Sequence, residues 1–453
     1  MIRLRRPLVI SILFVFGHAL PGRADVGVLI MEPIKSVGYL LRAGHAATYL
    51  SNICPDGSPV RMRLCRPGEH GSVISKYTPI SENTDYDWAI VPFDQFLNGF
   101  ESPALAPLIA TARLHEAIEA HDFEPLFSHA ILRLDDGSLP DGDWKTTLAT
   151  RFDRTIYNFS ISTTPAEDQR IVDVLNRGSN TSHFNFFYDN CSNQAKELFA
   201  IVLPGTEFGD RTSGLTMETP KGVAKALVGF ARAHPERQLR VERYVQTPGA
   251  GPRSRETLFP LENLYRNPTF APYWFFEGFR EVALGALVYH QVVARFSVER
   301  AFDRWSTPHR AGTKTEWRAY ERELQTSARA VATRVPWPAD VAAVLASPAP
   351  SGRLARPLLE EFEADGQFAI DDGRGAWMTL RLGDVDESTG VSEAEVTEGD
   401  ARLAYLVLAA AIDYNLAAPD DRRTTPAAMD RLIALLRETE LRLAHGAASR
   451  RSG

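Results

Sequence analysis

Three cysteines, six methionines and the lack of any phosphate-binding signature bound what this 453-residue chain can do. Cysteine is too sparse for a disulfide-built scaffold. No Gly-rich loop of the P-loop or dinucleotide kind occurs, and no Gly-x-Ser-x-Gly elbow. Kinase, dehydrogenase and serine-hydrolase chemistry is therefore left without a carrier. Cys54, Cys65 and His70 do not stand at a zinc spacing. The acidic tract Asp365, Asp371, Asp372, Asp384, Asp386, Glu387 lacks the order of a calcium loop. No metal and no cofactor are expected. No apolar run beyond the N-terminus reaches the length of about 20 residues that a membrane-spanning helix needs.

The N-terminus itself is distinctive. Arg3, Arg5 and Arg6 precede the apolar stretch Leu8 to Leu20, and Gly22-Arg23-Ala24 places small residues at both key positions of a cleavage site. This is the pattern of a secretory signal peptide cut after Ala24. A periplasmic or secreted protein is expected. Removing residues 1–24 removes four arginines and no acid, leaving 46 basic against 57 acidic side chains, a net −11. That balance argues against a nucleic-acid binder and against attraction to anionic membranes, and leaves room for a small basic site.

Export makes the cysteines informative, because paired thiols tend to close outside the cytoplasm. Cys54 and Cys65 lie close in sequence around a Pro55-Asp56-Gly57 turn and suit a local disulfide. Pairing of Cys191 with either of them stays open. If Cys54 and Cys65 pair, Cys191 is the odd thiol, and nucleophilic chemistry is one reason to keep it.

The pattern of elements is α+β. Strands are expected at 26–31, 44–50, 60–64, 71–77, 88–92, 131–134 and 155–161, from period-2 or short apolar runs. Helices are expected at 104–121, after Thr164-Pro165, after Cys191 and at 221–233. Residues 246–255 have linker composition, so a domain at 25–250 and a mainly helical region at 256–453 are expected. The latter includes helices at 317–335 and 426–444 and a hairpin around Trp377 to Leu382.

The stretch Phe184-Asn185-Phe186-Phe187-Tyr188-Asp189-Asn190-Cys191 carries the chemistry. Asp189 or Asn190 is a good N-cap, and a cysteine at a helix start sits where the peptide dipoles favour a thiolate. A thiolate nucleophile needs a base. Of eleven histidines, His45 differs from the rest: it follows Gly44, opens an apolar strand and is succeeded by two alanines.

Gly44-His45-Ala46-Ala47-x-Tyr49-Leu50, followed far downstream by Asn190-Cys191, resembles the circularly permuted papain-like NlpC/P60 superfamily. There the histidine strand precedes the cysteine helix, as in lecithin retinol acyltransferase-like proteins and in a set of bacterial exported proteins of uncharacterised function. The likeness spans roughly residues 25 to 205. It implies an antiparallel sheet with a cysteine-bearing helix, Cys191 as nucleophile and His45 as base and then acid. A third polar residue on the neighbouring strand would orient the imidazole, and Glu69 and His70 are the candidates. Oxyanion donors would be the Cys191 amide, with Tyr188 and Asn190 as supporting residues. The activity implied is a cysteine hydrolase or acyltransferase acting on an amide or ester, of a peptide or a lipid. The rival is a non-catalytic binding or scaffold protein on the same fold, in peripheral association with the envelope.

Overall fold

The computed structural model describes residues 24–34, 42–77, 79–101, 112–181, 187–206, 217–249, 251–266, 268–292, 295–305, 314–334 and 426–449. It also describes the strand pair 367–371 and 377–381, and a few single residues between these segments. Residues 1–23 of the expected leader lie outside the described residues, and Ala24 opens the first strand. Among those residues no helix is long and apolar enough to cross a membrane.

A six-stranded antiparallel sheet organises the first half. Its strands are β1 Ala24–Met31, β2 His45–Leu50, β5 Ser72–Lys76, β6 Trp88–Pro92, β7 Ile156–Thr163 and β8 Arg240–Tyr244. They run in the order β6-β5-β2-β1-β7-β8. The short hairpin of β3 Ile53–Pro55 and β4 Met62–Leu64 sits outside that sheet. β1 is central and covered on both faces, which is why Val26 to Met31 reads as a continuous apolar run rather than an alternating one. Val26, Val28 and Ile30 enter one core; Leu29 and Met31 enter the other.

Three helices cover the first face: α3 Pro165–Arg177, α4 Cys191–Val202 and α5 Pro220–Ala233. Ala195, Leu198 and Phe199 of α4 and Val223, Ala224 and Leu227 of α5 fill that core. Each fully buried aliphatic or aromatic side chain there contributes about 1.5–3 kcal/mol by leaving water. The second face carries α1 Phe93–Asn98, α2 Ala112–Phe127 and the buried Trp144. The expected α+β class with an antiparallel sheet is what the chain forms. α3 also follows its sequence signals: Thr164 accepts from the Glu167 amide, Glu167 returns a bond to the Thr164 amide, and Pro165 opens the first turn. The strand expected at Ile131 to Leu134 does not form; those residues lie in turns and coil.

The described residues 246–249 and 251–254 of the stretch with linker composition are tied into the fold. Gln246, Thr247 and Ser254 are buried. The Thr247 amide donates to the Arg151 carbonyl at 2.7 Å, Gln246 Nε2 donates to the Phe152 and Pro252 carbonyls at 3.1 Å each, and Ser254 Oγ donates to Glu32 Oε2 at 2.7 Å. Composition misleads here because Pro and Gly shape the backbone without deciding whether it is buried. Packing continues past the expected boundary. α6 Pro260–Arg266 is tied to α5 by the buried pair Lys221–Glu262, Nζ to Oε2 2.7 Å. Val298 and Ala301 of α8 Val298–Trp305 join the same core as α3 to α5. The helices α7 Glu277–Val292, α9 Lys314–Arg334 and α10 Pro426–Ser449 and the hairpin β9 Gln367–Asp371 with β10 Trp377–Arg381 complete the described chain.

Candidate functional site

α4 begins at Cys191 because Asn190 caps it. Asn190 Oδ1 accepts from the amides of Ser192 at 2.8 Å and Asn193 at 3.1 Å, and Asn193 Oδ1 accepts from the Asn190 amide at 3.1 Å. Asn190 Nδ2 donates to the Glu218 carbonyl at 3.2 Å. These polar atoms therefore hold the helix start and its neighbouring segment, rather than standing free for an oxyanion. Asp189 is the counter-ion of the buried Lys76 on β5, Nζ to Oδ1 2.5 Å. The Asp-Asn-Cys sequence is thus an ion pair, a cap and a thiol in succession. Tyr188 is 75% exposed.

The thiol is half-buried and unpaired. Cys54 and Cys65 form the disulfide, closing the β3–β4 hairpin with Cα atoms 5.0 Å apart. Burial raises the Cys191 pKa above its ordinary value. The backbone amide of Ala46, the hydroxyl of Ser192 at 4.0 Å, and the amides of Ser192 and Cys191 itself offset part of that rise. The sulfur thus meets β2 at Ala46, one residue beyond His45.

His45 is placed by Gly44. That glycine has φ +72°, and a Cβ on it would stand 2.2 Å from the Met31 carbonyl oxygen, so no other residue fits without a shift. On β2, Ala46 and Leu50 face the α3–α5 core while Ala47 and Tyr49 face the other. Alternation groups the His45 side chain with Ala47 and Tyr49. Its ring stacks on Tyr77, centroids 4.5 Å apart and planes within 6°. The Nε2 atom is enclosed and has no hydrogen-bond partner. Burial, reinforced by the nearby Arg154 cation, pushes the imidazole down to about 3. Tyr77 is itself pushed up to about 12 by burial; it hydrogen-bonds Thr146 and lies near Cys191. Cys191 packs against the α3–α5 core while alternation groups His45 with the other, and no hydrogen bond joins thiol and imidazole among the described contacts. Both burial effects favour the neutral forms, against the thiolate that the helix dipole alone suggests.

Glu69 and His70 are not brought to this place. β2 and β5 pair antiparallel, with Leu50 opposite Ser72 and Ala47 opposite Ser75. The His45 end of β2 therefore faces the Tyr77 end of β5, and residues 69 and 70 stand roughly 20 Å away along the strand. Glu69 takes both guanidinium nitrogens of Arg63 at 2.7 Å, and that pairing holds its carboxyl down to about 2. His70 Nδ1 lies 2.7 Å from Asp94 Oδ2. The residues beside His45 that the sequence reading missed are Tyr77 and Arg154. Tyr77 ends the Gly71–Tyr77 run, and an antiparallel register would have pointed to it. Among the described residues the one grouping of metal-ligand type is Cys54, Cys65 and Glu69, and its two sulfurs are spent in the disulfide.

No family model matches the chain, and neither a curated protein nor a solved structure is significantly similar to it.

Proposed function

We propose that this protein is an exported cysteine hydrolase or acyltransferase on a permuted papain-like NlpC/P60 domain, acting on an amide or ester bond. One observation carries the reading. The one unpaired thiol of the chain opens a capped helix, ringed by backbone amides, and meets the sheet one residue from His45. Cys191 Sγ attacks the carbonyl carbon, forming the C–S bond, while its proton passes to Nε2 of His45, which requires the imidazole to turn from the Ala47 side of β2 to the Ala46 side. The imidazolium then protonates the leaving amine or alcohol as the C–N or C–O bond breaks. Water, or a second acceptor, resolves the acyl-enzyme with His45 as base again. The amides of Cys191 and Ala46 are the nearest donors for the oxyanion. Peptide amides are the first substrate class and lipid acyl esters the second; both rest on the resemblance alone.

A second reading has its own observation. A thiol raised by burial and an imidazole lowered to about 3 fit a structural cysteine under a stacked histidine, on a binding or scaffold protein. An activated acyl ester separates the two. The enzyme forms a thioester on Cys191, visible by intact mass, and turns it over. Cys191→Ala abolishes the adduct, and His45→Ala slows turnover by about 100-fold or more. Equal ester cleavage by the wild type and Cys191→Ala rejects the catalytic reading.

A further inference from the structure

α7 shows two unlike faces. Ala283, Ala286 and His290 are buried at i, i+3, i+7. Leu284, Val288 and Val292, at i, i+4, i+8, are exposed together. Phe275, 91% exposed, and Phe276 lie just before the helix, with the exposed Arg280 and Glu281 between them and Leu284. Singly exposed apolar residues are ordinary, but an exposed aliphatic ridge is not.

A groove of about 830 Å³ adjoins the ridge, with His290 and Gln291 of α7 on its wall and Arg295 beyond Val292. Six arginines and three glutamates line it. Arg266 is paired with Glu256 and Glu262, and Arg318 with Glu299. Arg232, Arg295, Arg300 and Arg304 carry no ion pair among the described residues, and all four are exposed. The groove is thus locally cationic on a chain whose net charge is −7. Net charge governs the far field, whereas within a Debye length of about 10 Å the local arrangement decides.

We propose that this face docks on an anionic lipid bilayer. The ridge of α7 and the two phenylalanines enter the interfacial region, and the unpaired arginines take headgroup phosphates, for which a guanidinium is a bidentate donor. A soluble anion accounts for the groove and leaves the ridge in water. A second copy of the chain accounts for the ridge and sets the same four cations against one another. A bilayer of anionic lipid satisfies both features. The proposal does not depend on the chemistry of Cys191.

Co-sedimentation tests it, using the full chain beside a form lacking residues 1–23, so that the apolar N-terminal stretch is not taken for the anchor. The vesicles are phosphatidylcholine alone, or an equal mixture with phosphatidylglycerol. Both forms are expected to sediment with the mixed vesicles and not with phosphatidylcholine, and added salt weakens the binding. Arg295→Gln, Arg300→Gln and Arg304→Gln each lower partitioning about fivefold. Val288→Asp with Val292→Asp removes binding while unfolding temperature is kept, since both side chains face solvent. Failure to sediment, equal binding to both vesicles, or an unchanged result in the arginine variants overturns the proposal. So does self-association in solution that the Val288 and Val292 changes abolish, because a second copy then covers the ridge.

Discussion

Alkylation of Cys191 against pH measures how far enclosure overrides the helix dipole. Burial holds the thiol above its ordinary 9.0, and burial with the Arg154 cation takes His45 from 6.5 to about 3. At pH 7 less than about one molecule in a hundred then carries a thiolate. Both shifts act against a charged pair, so in the resting protein the proton stays on Sγ. The proposed activity would then couple proton transfer to attack on a bound carbonyl, as a general base does. The assay is the rate of iodoacetamide addition followed by intact mass, in the wild type and in His45→Gln. The rate is expected to climb about tenfold per pH unit from 7 to 9 with no plateau, and His45→Gln leaves that profile in place. A plateau reached below pH 8 that disappears in His45→Gln refutes the reasoning and restores the ion pair.

Glu32 gives a stability test with the opposite sense from a surface carboxylate. Burial, opposed by the Ser254 hydroxyl, lifts its pKa from 4.5 to about 7, so the folded state binds its proton more tightly than the unfolded one. Stability is then highest below pH 4.5 and falls by about 3 kcal/mol as pH rises to 7. Glu32→Gln stabilises the protein by up to that amount at pH 8 and by little at pH 4 in urea titrations; an equal effect at both pH values contradicts the assignment. Glu262→Gln strands the buried Lys221 ammonium, which sits 2.7 Å from the carboxylate, and costs about 3–5 kcal/mol by the same measurement. An effect within 1 kcal/mol shows that the pair is not enclosed. Cys54→Ser with Cys65→Ser opens a loop of sequence separation 11 and lowers stability by about 3 kcal/mol, with Cys191 alkylation unchanged. Altered Cys191 reactivity would tie the hairpin to the thiol.

Local chemistry made several features readable in advance. The capping pair Thr164 and Glu167, Pro165 and Gly178 delimit α3 in sequence and in space, because each acts within one turn of chain. Asn190 announces α4 for the same reason. The proximity of Cys54 and Cys65 favoured a hairpin disulfide, because few residues separate them. Long-range pairing was not readable. Choosing Glu69 and His70 as neighbours of His45 treated the start of the next strand as adjacent, whereas antiparallel pairing brings its end, at Tyr77, to that place. The Gly/Pro-rich stretch 246–254 looked exposed, but the burial of Gln246, Thr247 and Ser254 comes from Arg151, Phe152 and Glu32, nearly 100 or more residues away.

The sequence by itself determined the α+β class and the helix that Cys191 opens, since capping and periodicity are local properties. Only the tertiary structure decided that thiol and imidazole are both held toward their neutral forms. It also gathered Arg232 of α5 and Arg295, Arg300 and Arg304 at and before α8 around one groove that His290 and Gln291 of α7 also line. Desolvation and surface potential depend on what surrounds a group in space, and that surrounding is contributed by segments far apart along the chain.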